Sequence, residues 1–284
     1  MKDFTGDFCI IDGRIEKTDA LNRLSLSALS VCYEVIRVDD GIFLFLEDHL
    51  RRLRNSVKNI DLNYNLDFKY IIDILLKLKA NNGLHAGNVK LLIGFYSGIK
   101  RDPLFITYQV FHHYPTEKQY REGIATSLFV EERDRPNIKS MNTSLQEKCR
   151  NEIRLRDVYE VLLVTHDGFI TEGSKSNIFF VGEGILYTPP ASRVLKGITR
   201  EKIIEICNGS GTPLLEDNIP VNCLNQFSAA FLTGTSPKVL PVASIDAITF
   251  PVENPLITQL KARYEEMIAS YKAKINQTGY WLVL

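Results

Sequence analysis

Glu172 is the carboxylate of a small polar knot, TEGSKSN (Thr171–Asn177), that lies between two apolar runs. A glycine and three hydrogen-bonding residues, Ser174, Ser176 and Asn177, surround it. A carboxylate set among buried segments is costly unless a donor or a cation meets it, so the pattern points to chemistry that needs a fixed negative charge. Lys139, in RPNIKSMNTS, follows a plausible strand and sits between Ile138 and small polar residues, which could hold its amine near a sheet. Read alone, IKS is an exposed loop lysine. Three further stretches could hold an anion. KGITREKIIEIC opens a helix near Thr199, after Gly197, and a helix start presents N–H groups without intrahelical acceptors. LTGTSPKVLPV offers a nest of N–H groups with the hydroxyls of Thr233, Thr235 and Ser236. HLRRLR places Arg52 either as a two-pronged phosphate donor or on a solvated helix face.

Other chemistries lack their residues. His112 and His113 are adjacent, so on a strand they point to opposite faces, and no HExxH occurs; no metal is expected. EGSKS lacks the last glycine of a serine nucleophile elbow, and GSGTP at Gly209 is neither a dinucleotide fingerprint nor a P-loop. Lys plus Arg and Asp plus Glu both number 34, so no global field attracts nucleic acid or an anionic membrane. Five scattered cysteines without a CxxC pair fit reduced thiols and a cytoplasmic location. The N-terminus has acids where a leader needs an apolar core, and no run reaches the ~20 apolar residues of a membrane span.

The elements that must carry these residues are legible by period. Val31–Val38 and Ile42–Leu46 flank the turn Asp39-Asp40-Gly41 and predict a β-hairpin. Leu50, Leu53, Val57 and Ile60 predict a helix whose first turn holds Glu47 and Asp48, and DFKYIIDILLKLKANNG predicts a second that ends at a glycine. NVKLLIGFY and LFITYQVFHHY read as strands joined across SGIKRDP. The charged segment Pro115–Gly123 has no apolar face and is the expected linker. Beyond it lie strands in IATSLFVEE, EVLLVTHDGFITE, NIFFVGEGILYTP, SAAFLTG and KVLPV, with helices around LQEKCRNEIRLRD, ITREKIIEICNG and NPLITQLKARYEEMIASYKAK. The mixture suggests two α+β domains.

In order, HLRRL, IKSMN, TEGSKSN, LKGITR and LTGTSPKVLPV resemble the fold-type IV, class IV pyridoxal-phosphate aminotransferases, which include branched-chain and D-amino-acid aminotransferases and aminodeoxychorismate lyase. The resemblance runs from Tyr33 to Val242 and rests on five motifs in sequence. It implies a small N-terminal α+β domain (1–116), a linker (117–122) and a larger C-terminal domain of pseudo-barrel type (123–284), with pyridoxal 5′-phosphate between the domains. Lys139 matches the Schiff-base lysine, which would move the proton between Cα and the cofactor. Glu172 matches the carboxylate that keeps the pyridine nitrogen protonated, and Ser176 and Asn177 would bond around the ring and phosphate. Arg52, Ile198, Thr199, Gly234 and Thr235 match the phosphate cup. The resemblance also implies a homodimer in which the partner lends a loop to the pocket.

Departures bear on substrate. Ser144 stands where branched-chain enzymes tend to have a tyrosine, and Tyr33-Glu34-Val35 resembles the YEV of D-amino-acid enzymes more than the FEG of branched-chain ones. Aligning NVKLLIGFYSG puts Phe95 where the D-specific enzymes keep a carboxylate-trapping arginine, while Lys90 lies near an arginine position of branched-chain enzymes. The expected substrates are an aliphatic or aromatic amino acid, L rather than D, and a 2-oxo acid, with Tyr33, Lys90 and Ser236 binding the amino acid. The alternatives are the lyase, which tends to have threonine in place of Glu34, a D-amino-acid aminotransferase, and a non-catalytic scaffold, which would need neither Lys139 nor Glu172.

Overall fold

The computed structural model of the chain describes residues 4–26, 29–59, 64–96, 102–133, 135–141 and 143–280. They divide into two units, the first holding the described residues among 1–113, 138–141 and 268–284, the second those among 114–137 and 142–267. Ile60, the residues 97–101 of the expected turn, and Asn142 of the lysine motif lie outside the described residues.

In the first unit β1 (Phe4–Ile11), β2 (Arg14–Lys17), β3 (Leu29–Asp39), β4 (Ile42–Phe43), β5 (Gly87–Tyr96) and β6 (Leu104–Val110) form an antiparallel sheet in the order β2-β1-β6-β5-β3-β4. The β3–β4 turn is made by Asp40 and Gly41, both at positive φ (50° and 72°), which is the backbone that a tight hairpin with right-handed twist requires. β6 stops at Val110, short of the apolar run to Tyr114, because Val110 is the last residue paired on either side, with Phe4 and Asn88. α1 (Leu46–Asn59) buries Leu46, His49, Leu50, Leu53, Ser56 and Val57, so its core-facing stripe carries two polar residues among the aliphatic ones. α2 (Phe68–Asn81) starts at Asp67, whose carboxylate accepts from Tyr70 N at 3.1 Å, and buries Ile71, Ile72, Leu75 and Leu78.

The second unit opens with α3 (Glu117–Glu122), so the charged segment expected as a linker is a short helix, started by a capping box between Thr116 and Gln119. Its strands are β7 (Ile124–Val130), β8 (Glu160–Val164), β9 (Phe169–Gly173), β10 (Asn177–Gly182), β11 (Ile185–Thr188), β12 (Leu214–Glu216), β13 (Ile219–Pro220), β14 (Ala229–Gly234), β15 (Lys238–Ile245) and β16 (Ile248–Thr249). Nine of them form the order β12-β11-β10-β14-β15-β7-β8-β9-β13, and β16 pairs with β15. α4 (Thr143–Arg156) joins the parallel neighbours β7 and β8, and α5 (Ile198–Ser210) follows β11. Every residue of β8 and of β10 is buried, as continuous apolar strands require. On the adjacent strands β10 and β14 the paired, buried Phe179 and Phe231 stack with ring centres 5.1 Å apart.

α6 (Pro255–Thr278) belongs to the second unit through Met267 and to the first from Ile268. In the first unit Leu46 N donates to the Tyr271 hydroxyl at 3.0 Å and Phe43 N to that of Tyr280 at 2.5 Å. These bonds fix the corner from β4 into α1, where Phe45 takes the left-handed backbone (φ 51°) that a bulky side chain rarely adopts. The start of α1 is set by them.

Candidate active site

Lys139 belongs to the first unit, where the segment 138–141 lies along the edge of β3. Tyr33 N donates to Lys139 O at 3.0 Å, Met141 N to Val31 O at 3.2 Å, and Cys32 and Ser140 form an antiparallel bridge. From α1, the buried Ser56 hydroxyl accepts from Lys139 N at 3.3 Å. The backbone is thus tied on two sides, and the half-buried side chain puts Nζ 4.9 Å from the centre of the Tyr33 ring. An ammonium over an aromatic face is attracted by the ring quadrupole, which narrows the places it can occupy.

Side chains alternate along β3, so Tyr33 and Glu34 serve opposite faces. Register places Leu92 opposite Tyr33 and Lys90 opposite Val35, and Lys90 Nζ also lies 4.9 Å from the Tyr33 ring. Val31, Leu92 and Ile106 form a buried apolar cluster on this face, with Tyr33, Tyr108 and Met141 packed against it. Phe95 has the other parity. It pairs with Ser30, is buried, and sets its ring against Tyr64 at 5.7 Å. The β5 residues that share the face of Tyr33 are Asn88, Lys90, Leu92, Gly94 and Tyr96; none is an arginine.

On the opposite face Glu34 is completely buried and meets α1. Arg52 donates to it twice, Nε to Oε1 at 2.8 Å and Nη2 to Oε2 at 2.5 Å, while His49 Nδ1 lies 2.7 Å from Oε2. Burial alone would push the Glu34 carboxyl up, but the Arg52 charge, the Arg52 hydrogen bonds and the bond from His49 outweigh it and hold it at about 2. Burial pulls His49 below the usual histidine range despite the opposing carboxylate, so it serves Glu34 as a neutral Nδ1–H donor. Arg52 is therefore held rigidly, side chain one-tenth exposed, by a carboxylate that in the sequence bears only on the choice among family members.

In the second unit Glu172 is nearly fully buried on β9. Arg133 Nε donates to Oε1 at 2.6 Å, and Oε2 accepts from Leu195 N at 3.1 Å and from Asn177 Nδ2 at 3.4 Å. Arg133 Nη2 also donates to Ser174 O at 2.9 Å, and Asn177 Nδ2 to Leu195 O at 2.9 Å. Glu172 and Asn177 are thus brought together, with Arg133 as a partner the sequence reading missed; a loop arginine six residues before Lys139 carried no signal of its own. The Ser176 hydroxyl turns to a second buried carboxylate, Glu160, at 3.0 Å.

Ile198 and Thr199 begin α5, whose N-cap, Gly197, supplies no side-chain bond. A Cβ at Gly197 would lie 2.0 Å from Asn177 Oδ1, so only glycine lets the helix start this close. The Thr199 hydroxyl lies 3.3 Å from that of Tyr264. Gly234 ends β14, Thr235 is half-buried and Ser236 buried; the hydroxyl of Thr233, also buried, has no hydrogen-bond partner among the described residues. Among the described residues no group of three or more His, Cys, Asp or Glu could hold a metal ion, and no helix is long and apolar enough to cross a membrane.

A family model described as Amino-transferase class IV matches residues 31–245. The chain is 27% identical over 253 residues to the D-alanine aminotransferase of Bacillus licheniformis, covering 85% of this chain and 89% of that protein. It is 26% identical over 252 residues to a putative branched-chain-amino-acid aminotransferase of Methanocaldococcus jannaschii, covering 85% and 87%. The crystal structure of the Escherichia coli branched-chain amino acid aminotransferase superimposes with a TM-score of 0.83 at 20% identity, over 93% of this chain and 95% of that one.

Proposed function

The chain belongs to the class IV aminotransferases, and on that premise we propose that it moves an amino group between an aliphatic or aromatic L-amino acid and a 2-oxo acid, with Lys139 as the catalytic amine. Enzymes of this class use pyridoxal 5′-phosphate, which when bound withdraws electrons from the substrate Cα and exchanges amine for carbonyl.

The residues present fit that group. The buried Thr233 hydroxyl without a described partner, the side-chain-uncapped start of α5 and the glycines at 197 and 234 make up a donor set suited to a phosphate ester. In this reading Ile198, Thr199, Gly234 and Thr235 hold the phosphate, and Arg52 adds a guanidinium that Glu34 keeps in one orientation. Glu172 holds a proton at the ring nitrogen, its own geometry set by Arg133, Leu195 N and Asn177. Asn177 lines the ring, whereas the Ser176 hydroxyl, expected there from the sequence, is held by Glu160.

Lys139 moves the proton at the substrate Cα. Its fixed backbone and the Tyr33 ring limit the path of Nζ, so the amine is presented in one place. Lys90, beside the same ring, meets the substrate carboxylate, together with Ser236 and neighbouring N–H groups. The observation that carries the substrate reading is the composition of that face: the half-buried Tyr33, Tyr108 and Met141, packed on the cluster of Val31, Leu92 and Ile106, offer surface to desolvate an apolar side chain, and no arginine of β5 stands there to trap a carboxylate in the D-specific manner. A homodimer and a cytoplasmic location belong to the same reading, the first on the family likeness, the second on five free cysteines. Initial rates with L-leucine, L-phenylalanine, D-alanine and D-glutamate, each with 2-oxoglutarate, test it. Faster turnover of either D-donor overturns the L assignment, and light scattering at the mass of a single chain overturns the dimer.

A further inference from the structure

Glu160 opens β8, a strand whose other four residues are Val, Leu, Leu and Val, and is itself 5% exposed. A carboxylate at the head of such a strand is costly to bury unless donors surround it. Three do, and all come from one turn. Ser174 Oγ donates to Glu160 Oε1 at 3.1 Å, Lys175 N to the same oxygen at 2.5 Å, and Ser176 Oγ to Oε2 at 3.0 Å. Gly173 opens the turn, and a Cβ there would lie 2.2 Å from Ser176 Oγ and 2.7 Å from Glu160 Oε1, so the backbone passes against the carboxylate with no room for a side chain. Gly173 N donates to Ser176 O at 2.8 Å, and Ser174 N to Val161 O at 3.0 Å. Immediately before this turn stands Glu172, and immediately after it stands Asn177.

We propose that Glu160 is a positioning residue for the aminotransferase site: its carboxylate is the internal post on which residues 173–176 are wound, and the winding sets Glu172 and Asn177 against each other and against Leu195. Glu160 touches neither substrate nor cofactor in this account and acts through Glu172. The account rests on the proposed role of Glu172. It also explains why the polar residues of the knot divide as they do. Ser174 and Ser176 turn inward to Glu160, while Asn177 turns to Glu172 and Leu195 O.

The number of acceptors matters here more than the charge. In Glu160→Gln an oxygen remains for Lys175 N, and the Ser176 hydroxyl can rotate to accept from the new amide. In Glu160→Ala all three donors lose their acceptor. The test compares both with wild type and with Glu172→Gln in the full chain. Deuterium uptake by peptides covering 173–177, measured without added cofactor, should rise in Glu160→Ala, with Glu160→Gln close to wild type and the peptides of β14 unchanged. With pyridoxal 5′-phosphate, the half-reaction with the best amino donor should slow by at least about tenfold in Glu160→Ala and by no more than about threefold in Glu160→Gln. In a Glu172→Gln background the alanine effect should shrink to about threefold or less, because the residue it acts through is already impaired. Should Glu160→Ala not fold, Ser174→Ala with Ser176→Ala breaks two of the same bonds from the loop side, with the same expectations.

Unchanged exchange at 173–177 overturns the proposal, and so does an alanine effect that is fully additive with Glu172→Gln. Local loosening together with a normal half-reaction rate in Glu172→Gln has a different meaning. The post then stands as a structural fact, and it is the assigned role of Glu172 that fails.

Discussion

Replacing Glu34 with glutamine changes one oxygen of a completely buried carboxylate into an amide nitrogen, at a point where every neighbour is a donor. Arg52 Nε and Nη2 and His49 Nδ1 all point at Glu34. The new amide must therefore face at least one N–H, and the guanidinium is left without its counter-charge. The carboxyl is held at about 2 against an ordinary 4.5, and at about 1.4 kcal/mol per pH unit this is on the order of 3 kcal/mol in favour of the ionised form in the fold. Breaking a buried pair by removing one partner costs a similar ~3–5 kcal/mol. Glu34→Gln should thus lose about 3 kcal/mol at neutral pH, measured by urea unfolding followed by circular dichroism at a fixed, saturating cofactor concentration. The sign with pH follows from the depressed carboxyl. Its contribution is complete above about 4.5 and is lost as the pH falls toward 2. His49, also depressed, adds a second loss on acidification that starts from the ordinary 6.5. Wild type carries both losses, and the variant keeps only that of His49. A penalty under about 1 kcal/mol at neutral pH, or a variant that steepens below pH 4.5 as wild type does, would refute the claim that the buried Glu34 carboxylate holds Arg52 in place.

Lys139→Ala should abolish transamination and the visible absorbance of bound cofactor, and borohydride reduction of wild type followed by peptide mapping should label Lys139 alone. Glu172→Gln should fold and bind cofactor but slow the half-reaction at least about tenfold, since a charge-assisted bond is worth ~1.5–3 kcal/mol; an unchanged rate removes its assigned role. Arg52→Ala should lose cofactor on dialysis and, because Glu34 is then buried without its counter-charge, also lower stability by about 3–5 kcal/mol; adding Glu34→Ala should restore part of the stability and none of the retention. Lys90→Met should raise KM for the amino donor about tenfold or more with kcat less affected, as expected when binding of a carboxylate by a cation is removed, and equal loss in kcat would move Lys90 into the chemical step.

How much of this was legible depended on the range of the interaction. The β3–β4 hairpin and helices α1, α2 and α5 follow from local signals: Asp-Gly at a turn, aliphatic residues at helical spacing, a glycine before a helix. Those signals placed Arg52 in α1 and Ile198 and Thr199 at the start of α5, as observed. What could not be read were partners far apart in sequence. The grip on Lys139 comes from Val31, Tyr33 and Ser56, all far earlier in the chain, and no periodicity encodes a short segment lying along a strand edge. Arg133 looked like any loop arginine because its partner, Glu172, is 39 positions on. Glu160 carried no signal of its own, because its donors Ser174, Lys175 and Ser176 lie 14, 15 and 16 positions on. Ser176 was read toward the cofactor, while its hydroxyl is on Glu160.

Parity decided the rest, and it explains how one strand can serve two purposes. Along Val31-Cys32-Tyr33-Glu34-Val35 adjacent side chains must leave on opposite sides of the sheet. Tyr33 therefore shares its face with Lys90, Leu92 and the amine of Lys139, while Glu34 is delivered to α1, where it fixes the guanidinium of Arg52. The residue proposed to face the substrate and the residue that orients the proposed phosphate ligand are neighbours in sequence, yet they occupy different environments, one half-exposed and the other with no exposure at all. The same rule moves Phe95 off the face of Tyr33 and so separates two statements that the sequence had joined. The D-specific arginine is missing from this face of β5, but Phe95 is not what stands in its place. The β5 residues on that face are Asn88, Lys90, Leu92, Gly94 and Tyr96, and Lys90 is the cation among them. Substrate configuration should therefore respond to substitutions at even-numbered positions of β5 and be insensitive to Phe95→Leu, which alters packing on the other face, where the ring meets Tyr64. A change in the ratio of L- to D-donor rates in Phe95→Leu would show that the two faces are coupled and that parity does not divide the strand's work.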